Sequence, residues 1–168
     1  MAPLDETEFR TIIEDARARH GGIVNLIYVT DQQAMLLLRL YATLGIATSS
    51  GAIAGLVGQP MIARPLAWAL VAASITLILG AALCLRVLQA ARINVPGRDP
   101  EFWLWALRDD IDRKTALRGY LENLQVKIAA NRSLNIKTAT ALKWAKRCGA
   151  AMPIAALMTG AAAMRWPF

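Results

Sequence analysis

Charge is missing from three stretches of this chain, and each gap is about as long as a bilayer is thick. Leu40 to Gly58 holds 19 residues without Asp, Glu, Lys or Arg, Pro65 to Leu85 holds 21, and Cys148 to Met164 holds 17. A hydrocarbon core of about 30 Å requires roughly 20 helical residues at ~1.5 Å each. The first two gaps meet that length, and the third meets it once its flanking cations snorkel to the interface. No water pairs backbone groups inside hydrocarbon, so each gap is expected to be a helix. Composition points the same way: 18% of the residues are charged, against about 25% in an ordinary soluble domain. A soluble bundle would have to bury all three apolar helices within 168 residues.

The spans differ in quality. "PLAWALVAASITLILGAALCL" is the most apolar. The first span carries Thr48, Ser49 and Ser50 in its middle, where hydroxyls can bond carbonyls of the preceding turn. The third, "CGAAMPIAALMTGAAAM", is alanine-rich and contains Pro153. The six residues "QPMIAR" join spans 1 and 2, so those spans are expected to form an antiparallel hairpin.

Basic residues orient the hairpin. Arg10, Arg17, Arg19 and Arg39 precede span 1, thirteen Lys/Arg lie from Arg86 to Arg147, and only Arg64 and Arg165 fall on the other side. A split of 17 to 2 places the N-terminus and the long middle segment in the cytoplasm. The C-terminus then lies outside, with Trp166 suited to the interface. The expected architecture is an all-α membrane protein with three transmembrane helices, N-terminus in and C-terminus out, and a cytoplasmic helical layer. Its segments are an amphipathic cytoplasmic helix (1–22), a membrane hairpin with cytoplasmic helix extensions (23–91), a cytoplasmic helical segment (92–147), and the third span with the C-terminus (148–168). "MAPLDETEFR" has no basic stretch leading into an apolar run, so a cleaved signal peptide is not expected.

"LDETEFRTIIEDARAR" reads as an amphipathic helix with leading acids and trailing arginines, which suits the helix dipole. Gly21-Gly22 is expected to end it, with His20 solvated at that end. A second helix, "IVNLIYVTDQQAMLLLRL", then runs without a breaker into span 1. Arg39 is expected at the cytoplasmic boundary. "AMLLL" before it then lies outside the hydrocarbon, and must be covered by the N-terminal helix, the 101–131 helix or another subunit. Were Arg39 deeper and paired with Asp31 or with another chain, it would be a gate instead. Pro96, Gly97 and Pro100 mark a turn, and Asp99-Pro100-Glu101 a helix start. That helix is expected to continue through "LRDDIDRKTALRGYLENLQVKIAANRSLN", with Leu104, Leu107, Ile111, Leu117, Leu121, Leu124 and Ile128 on one stripe. "NIKTATALKWAKR" carries the chain back into span 3.

The sequence offers no catalytic constellation, and neither an enzyme nor a cofactor is expected. It has no phosphate loop, nucleophile elbow or zinc motif. Cys84 and Cys148 read as small apolar fillers, and Asp109, Asp110 and Asp112 as a solvated, salt-paired helix face. Arg132, Lys137, Lys143, Lys146 and Arg147 form a basic patch suited to anionic lipid or to an anionic ligand. With a net charge of +7, this distribution argues for topology and membrane lipid, not for nucleic acid. Gly51-xxx-Gly55, Ala72-xxx-Thr76-xxx-Gly80 and Ala156-xxx-Gly160 allow close helix contact, either within the chain or between copies in a homo-oligomer.

This layout and several short motifs resemble the transmembrane effectors of Pycsar anti-phage systems, with the SLATT-type membrane effectors as relatives. The resemblance runs over residues 23 to 164. It includes "DQQA" (Asp31 to Ala34) before the first span, with Gln33 where that family carries lysine. It also includes the turn "INVPGRDPEFW", the segment "GYLENLQVKIAANRSLN" and the Lys-bearing "IKTATALKWAKR". It implies a multi-pass protein of the bacterial inner membrane that responds to a cyclic nucleotide made by a partner cyclase, then oligomerises or rearranges and disrupts the membrane. Two other classes fit the residues: a non-enzymatic adaptor whose cytoplasmic helices dock a partner, and a holin-like pore former.

Overall fold

A computed structural model describes residues 6–58, 62–89 and 93–165. Four helices follow one another: α1 (Glu6–Leu56), α2 (Arg64–Leu88), α3 (Pro100–Ala106) and α4 (Arg113–Arg165). No strand occurs among the described residues. Two helices, α1 and α2, are long and apolar enough to cross a membrane. The third charge-free stretch is helical throughout within α4 but falls short of the same hydropathy measure. Gln59, Pro60 and Met61 of the hairpin linker, and Trp166, lie outside the described residues.

The chain divides into two compact units of non-contiguous segments. The first comprises Met1–Val29 and Ala91–Ile136, the second Thr30–Ala90 and Lys137–Phe168. α1 and α4 supply residues to both.

Gly21-Gly22 does not end the first helix; α1 runs through it for 51 residues. Each glycine inside a helix costs about 1 kcal/mol relative to alanine. On either side, His20, Val24 and Ile27 fall at helical spacing and are all buried. Burial of Val and Ile side chains contributes roughly 1.5–3 kcal/mol each, which exceeds the glycine penalty. The expected unbroken helix from 101 also fails. α3 stops at Ala106, and α4 starts afresh at Arg113. Asp112 explains the restart: its Oδ1 accepts the Thr115 amide at 2.9 Å, an N-cap that favours a new helix over an extended one. Leu104 and Leu107, the leading members of the proposed stripe, are therefore 69% and 78% exposed, while Leu124 is buried. Asp109, Asp110 and Asp112 lie exposed in this connection, and Arg108 pairs with Asp110 at 3.0 Å. α3 begins as its sequence suggests, with Asp99 as N-cap and proline in the first turn. Gly97 occupies the preceding turn at φ +115, a conformation suited to glycine.

Within the second unit, α1, α2 and α4 meet through small residues. A Cβ on Gly55 would lie 2.6 Å from Ala67 Cβ, and one on Gly51 2.9 Å from Leu70. One on Gly160 would come within 3.3 Å of Ala69. These helices thus approach backbone to side chain. Ser74 Oγ lies 2.9 Å from Thr48 Oγ1 and 2.8 Å from the Leu70 carbonyl, so its one proton goes either across to α1 or back along α2. Two small apolar clusters complete the interior: Tyr41, Leu77, Cys84 and Ala145, then Ala34, Val87 and Leu142.

Candidate functional site

The first unit is organised around a buried polar knot. His20, expected to be solvated, is completely buried on α1. Its Nε2 lies 3.0 Å from both the Asn94 carbonyl and Asn131 Nδ2, so its tautomer decides whether it donates to the first or accepts from the second. Asn131, also fully buried, donates to the Asn94 carbonyl at 2.8 Å and accepts the Asn94 amide at 3.0 Å. The loop before α3 is thereby pinned to α1 and α4 through one residue's main chain. About three turns before Asn131 on α4, the Tyr120 hydroxyl accepts from Arg17 at 2.7 Å, and Arg98 lies 4.1 Å over the Phe102 ring while donating to the Gly119 carbonyl at 2.7 Å. Tyr120 also stacks near Phe102 and Trp103.

In the second unit, a groove of about 560 Å³ opens between α1 and α4. Lys143, Lys146 and Arg147 line it from α4, Thr30 and Gln33 from α1, and Leu142 is part of its apolar lining. Lys146 donates to Gln33 Oε1 at 2.9 Å, and the Arg147 guanidinium lies 4.6 Å over the Trp144 ring. Of the five residues of the basic patch, all exposed, three share this groove. Arg132, which belongs to the first unit, and Lys137 do not line it.

Asp31 and Arg39 are not brought together. They are two helical turns apart on α1; Arg39 is exposed, its Nη2 3.8 Å from Met35 Sδ. Asp31 is half-buried, its Oδ1 sealed from solvent without a hydrogen-bond partner, and this burial pushes its carboxyl above the ordinary value. Of the apolar residues near Arg39, Leu37 and Leu38 pack on the core clusters, whereas Met35, Leu36 and Leu40 stay exposed. Gly51, Gly55, Gly80 and Gly160 all lie at close contacts within this chain. Cys84 is buried, Cys148 half-buried, and neither is in a disulfide.

Sequence reasoning missed the polar knot and the α1 side of the groove. A lone His beside Gly-Gly gives no periodic signal, and Thr30 and Gln33 carry no charge that marks them as partners for lysine. Comparison with protein-family models, characterised proteins and solved structures returns no match for this chain.

Proposed function

We propose that this protein is a membrane-embedded effector of anti-phage defence, which oligomerises or rearranges on a cyclic-nucleotide signal and breaches the bacterial inner membrane. The observation that carries the membrane part is the dress of the second unit. Many of its helix–helix contacts are made by glycine, alanine and hydroxyl groups beside two small apolar clusters, while Ile46, Ile53, Ile78, Leu79, Ile154 and Leu157 point outward, each more than half exposed. A soluble bundle has the opposite arrangement, and apolar faces of this extent mark a lipid or protein environment. In this reading three helices cross the bilayer, with the N-terminus inside and the C-terminus outside. The responsive part is the first unit, because α1 and α4 contribute to its core and continue as membrane spans. A ligand that prefers one packing of that unit shifts the population of states available to those spans.

The family resemblance supplies the trigger. Gln33 stands where that family carries lysine, and here it accepts a hydrogen bond from Lys146. The cation at this point of the groove thus comes from α4. Arg39, exposed and unpaired with acid, acts as a boundary anchor.

Inducible expression in bacteria, with a voltage-sensitive dye and with cyclic pyrimidine nucleotides supplied or withheld, tests the reading. Ligand-dependent depolarisation is expected; unchanged potential and viability under every nucleotide would overturn it. The adaptor reading draws on exposed Leu104, Leu107 and Val126 in the first unit. A stoichiometric soluble partner recovered without any membrane leak would favour it.

A further inference from the structure

We propose that the groove between α1 and α4 in the second unit is a binding site for a phosphate-bearing anion. Three cations, Lys143, Lys146 and Arg147, line one concave surface together with the side chains of Thr30 and Gln33. On α4 Lys146 and Arg147 stand three and four residues after Lys143, the spacing at which like charges on a helix repel. Among the described residues no carboxylate pairs with any of the three. α4 carries no Asp or Glu after Glu122, although seven Lys/Arg follow it. Asp31, the acid of α1 in this unit, makes no ion pair among the described residues.

The donors are also underused. Lys146 spends one of its three N–H groups on Gln33. Lys143 makes no hydrogen bond among the described residues, and the Arg147 fork is stacked on Trp144 with its N–H groups uncommitted. A phosphate presents several acceptor oxygens to such separated donors and neutralises the cluster. The groove is open to solvent and offers about 560 Å³, room for a phosphate group. A lipid headgroup and a soluble nucleotide share this chemistry, and the site lies at the start of the third charge-free stretch, whose Ala150 is part of its lining. The inference does not depend on whether the chain depolarises membranes.

The test uses the full chain in a neutral maltoside detergent, with dioctanoyl phosphatidylglycerol, dioctanoyl phosphatidylcholine and cyclic UMP titrated separately and read by native mass spectrometry. Saturable binding of phosphatidylglycerol over phosphatidylcholine assigns the site to lipid, and saturable binding of cyclic UMP assigns it to a soluble nucleotide. In either case Lys143→Gln with Arg147→Gln should weaken binding at least about tenfold, and Arg132→Gln with Lys137→Gln, the same loss of charge, by less than about twofold. Gln33→Glu, which places a carboxylate among the cations, should also abolish binding while thermal unfolding confirms that the protein is folded. Equal losses in the two double variants, or no preference for phosphatidylglycerol together with no cyclic UMP binding, overturn the proposal.

Discussion

Tyr41 donates its phenolic hydroxyl to the main-chain carbonyl of Ala145 at 2.8 Å, joining α1 to α4 in the interior of the second unit. The same ring fills the space over Gly80 of α2, where a Cβ would lie 2.7 Å from Tyr41 Cε2, and a Cβ added to Gly149 of α4 would run into its hydroxyl. One aromatic side chain thus sets the approach of three helices, and it does so through shape as much as through its hydrogen bond.

The relative size of those contributions is testable. Tyr41→Phe removes only the hydrogen bond, worth roughly 0.5–1.5 kcal/mol. Gly80→Ala drives a methyl into the ring and is expected to cost about 1–3 kcal/mol through overpacking. Thermal unfolding of the detergent-solubilised protein should therefore rank Gly80→Ala below Tyr41→Phe. The reverse order would show that the ring has room to move aside.

The polar knot of the first unit predicts a larger loss. Asn131→Ala deprives the half-buried Asn94 of an acceptor for its amide and a donor for its carbonyl, and leaves a cavity beside the buried His20. Each buried group left unpaired costs about 1–3 kcal/mol. Limited proteolysis should cut Asn131→Ala early in the loop before α3, while Arg132→Ala, one residue away and exposed, keeps the wild-type pattern. Equal resistance of both variants would mean that the loop is held by other contacts.

How much of this was legible in the sequence depends on the kind of signal. The helices around the charge-free stretches were, because periodicity and span length report on segments read one at a time. So was the start of α3 at Asp99-Pro100. The continuity of α1 through Gly21-Gly22 was not, since the residues that outweigh the glycines act by tertiary burial. The break at 107–112 depended on a choice between two readings of Asp112, as an exposed helix residue or as a cap, and local hydrogen bonding to Thr115 decided it. The basic patch was visible as five cations, but only the fold separates the three that share a groove from Arg132 and Lys137.

Two carboxylates give stability a pH dependence of opposite sign. Burial raises the Asp31 carboxyl, so folding favours its protonated form; its penalty is fully present above the raised value and fades as pH falls through it toward 3.8. Asp112 is held below 3.8 by hydrogen bonds from the Thr115 side chain and main chain; its contribution is present above the ordinary value and is lost as pH falls through the depressed one. Asp31→Asn should raise the unfolding temperature at neutral pH and converge on wild type in acid. Asp112→Ala should lower it at neutral pH and likewise converge in acid. A pH series of melting curves between about pH 3 and pH 7 reads both. An Asp31→Asn gain that persists unchanged at the acid end would locate its effect outside titration.

The third span is where the membrane reading is most exposed to refutation. Leu157 is 73% exposed on α4, and two environments give it opposite tolerances. On a soluble bundle an exposed leucine can become arginine with an effect within about 0.5 kcal/mol. At the middle of a bilayer span, arginine costs roughly 2.5–3.5 kcal/mol of insertion free energy, about a hundredfold in the inserted fraction. In that reading residues 148–164 have little to spare, because among the described helices α1 and α2 alone are long and apolar enough to cross a membrane. Leu157→Arg should therefore strip a C-terminal alkaline phosphatase fusion of most of its activity, since the reporter folds only outside the inner membrane. Gln125→Arg, exposed on the same helix but in the first unit, should leave it unchanged. A fusion inactive in the wild type would remove the outward C-terminus, and full activity in Leu157→Arg would place residue 157 away from the hydrocarbon.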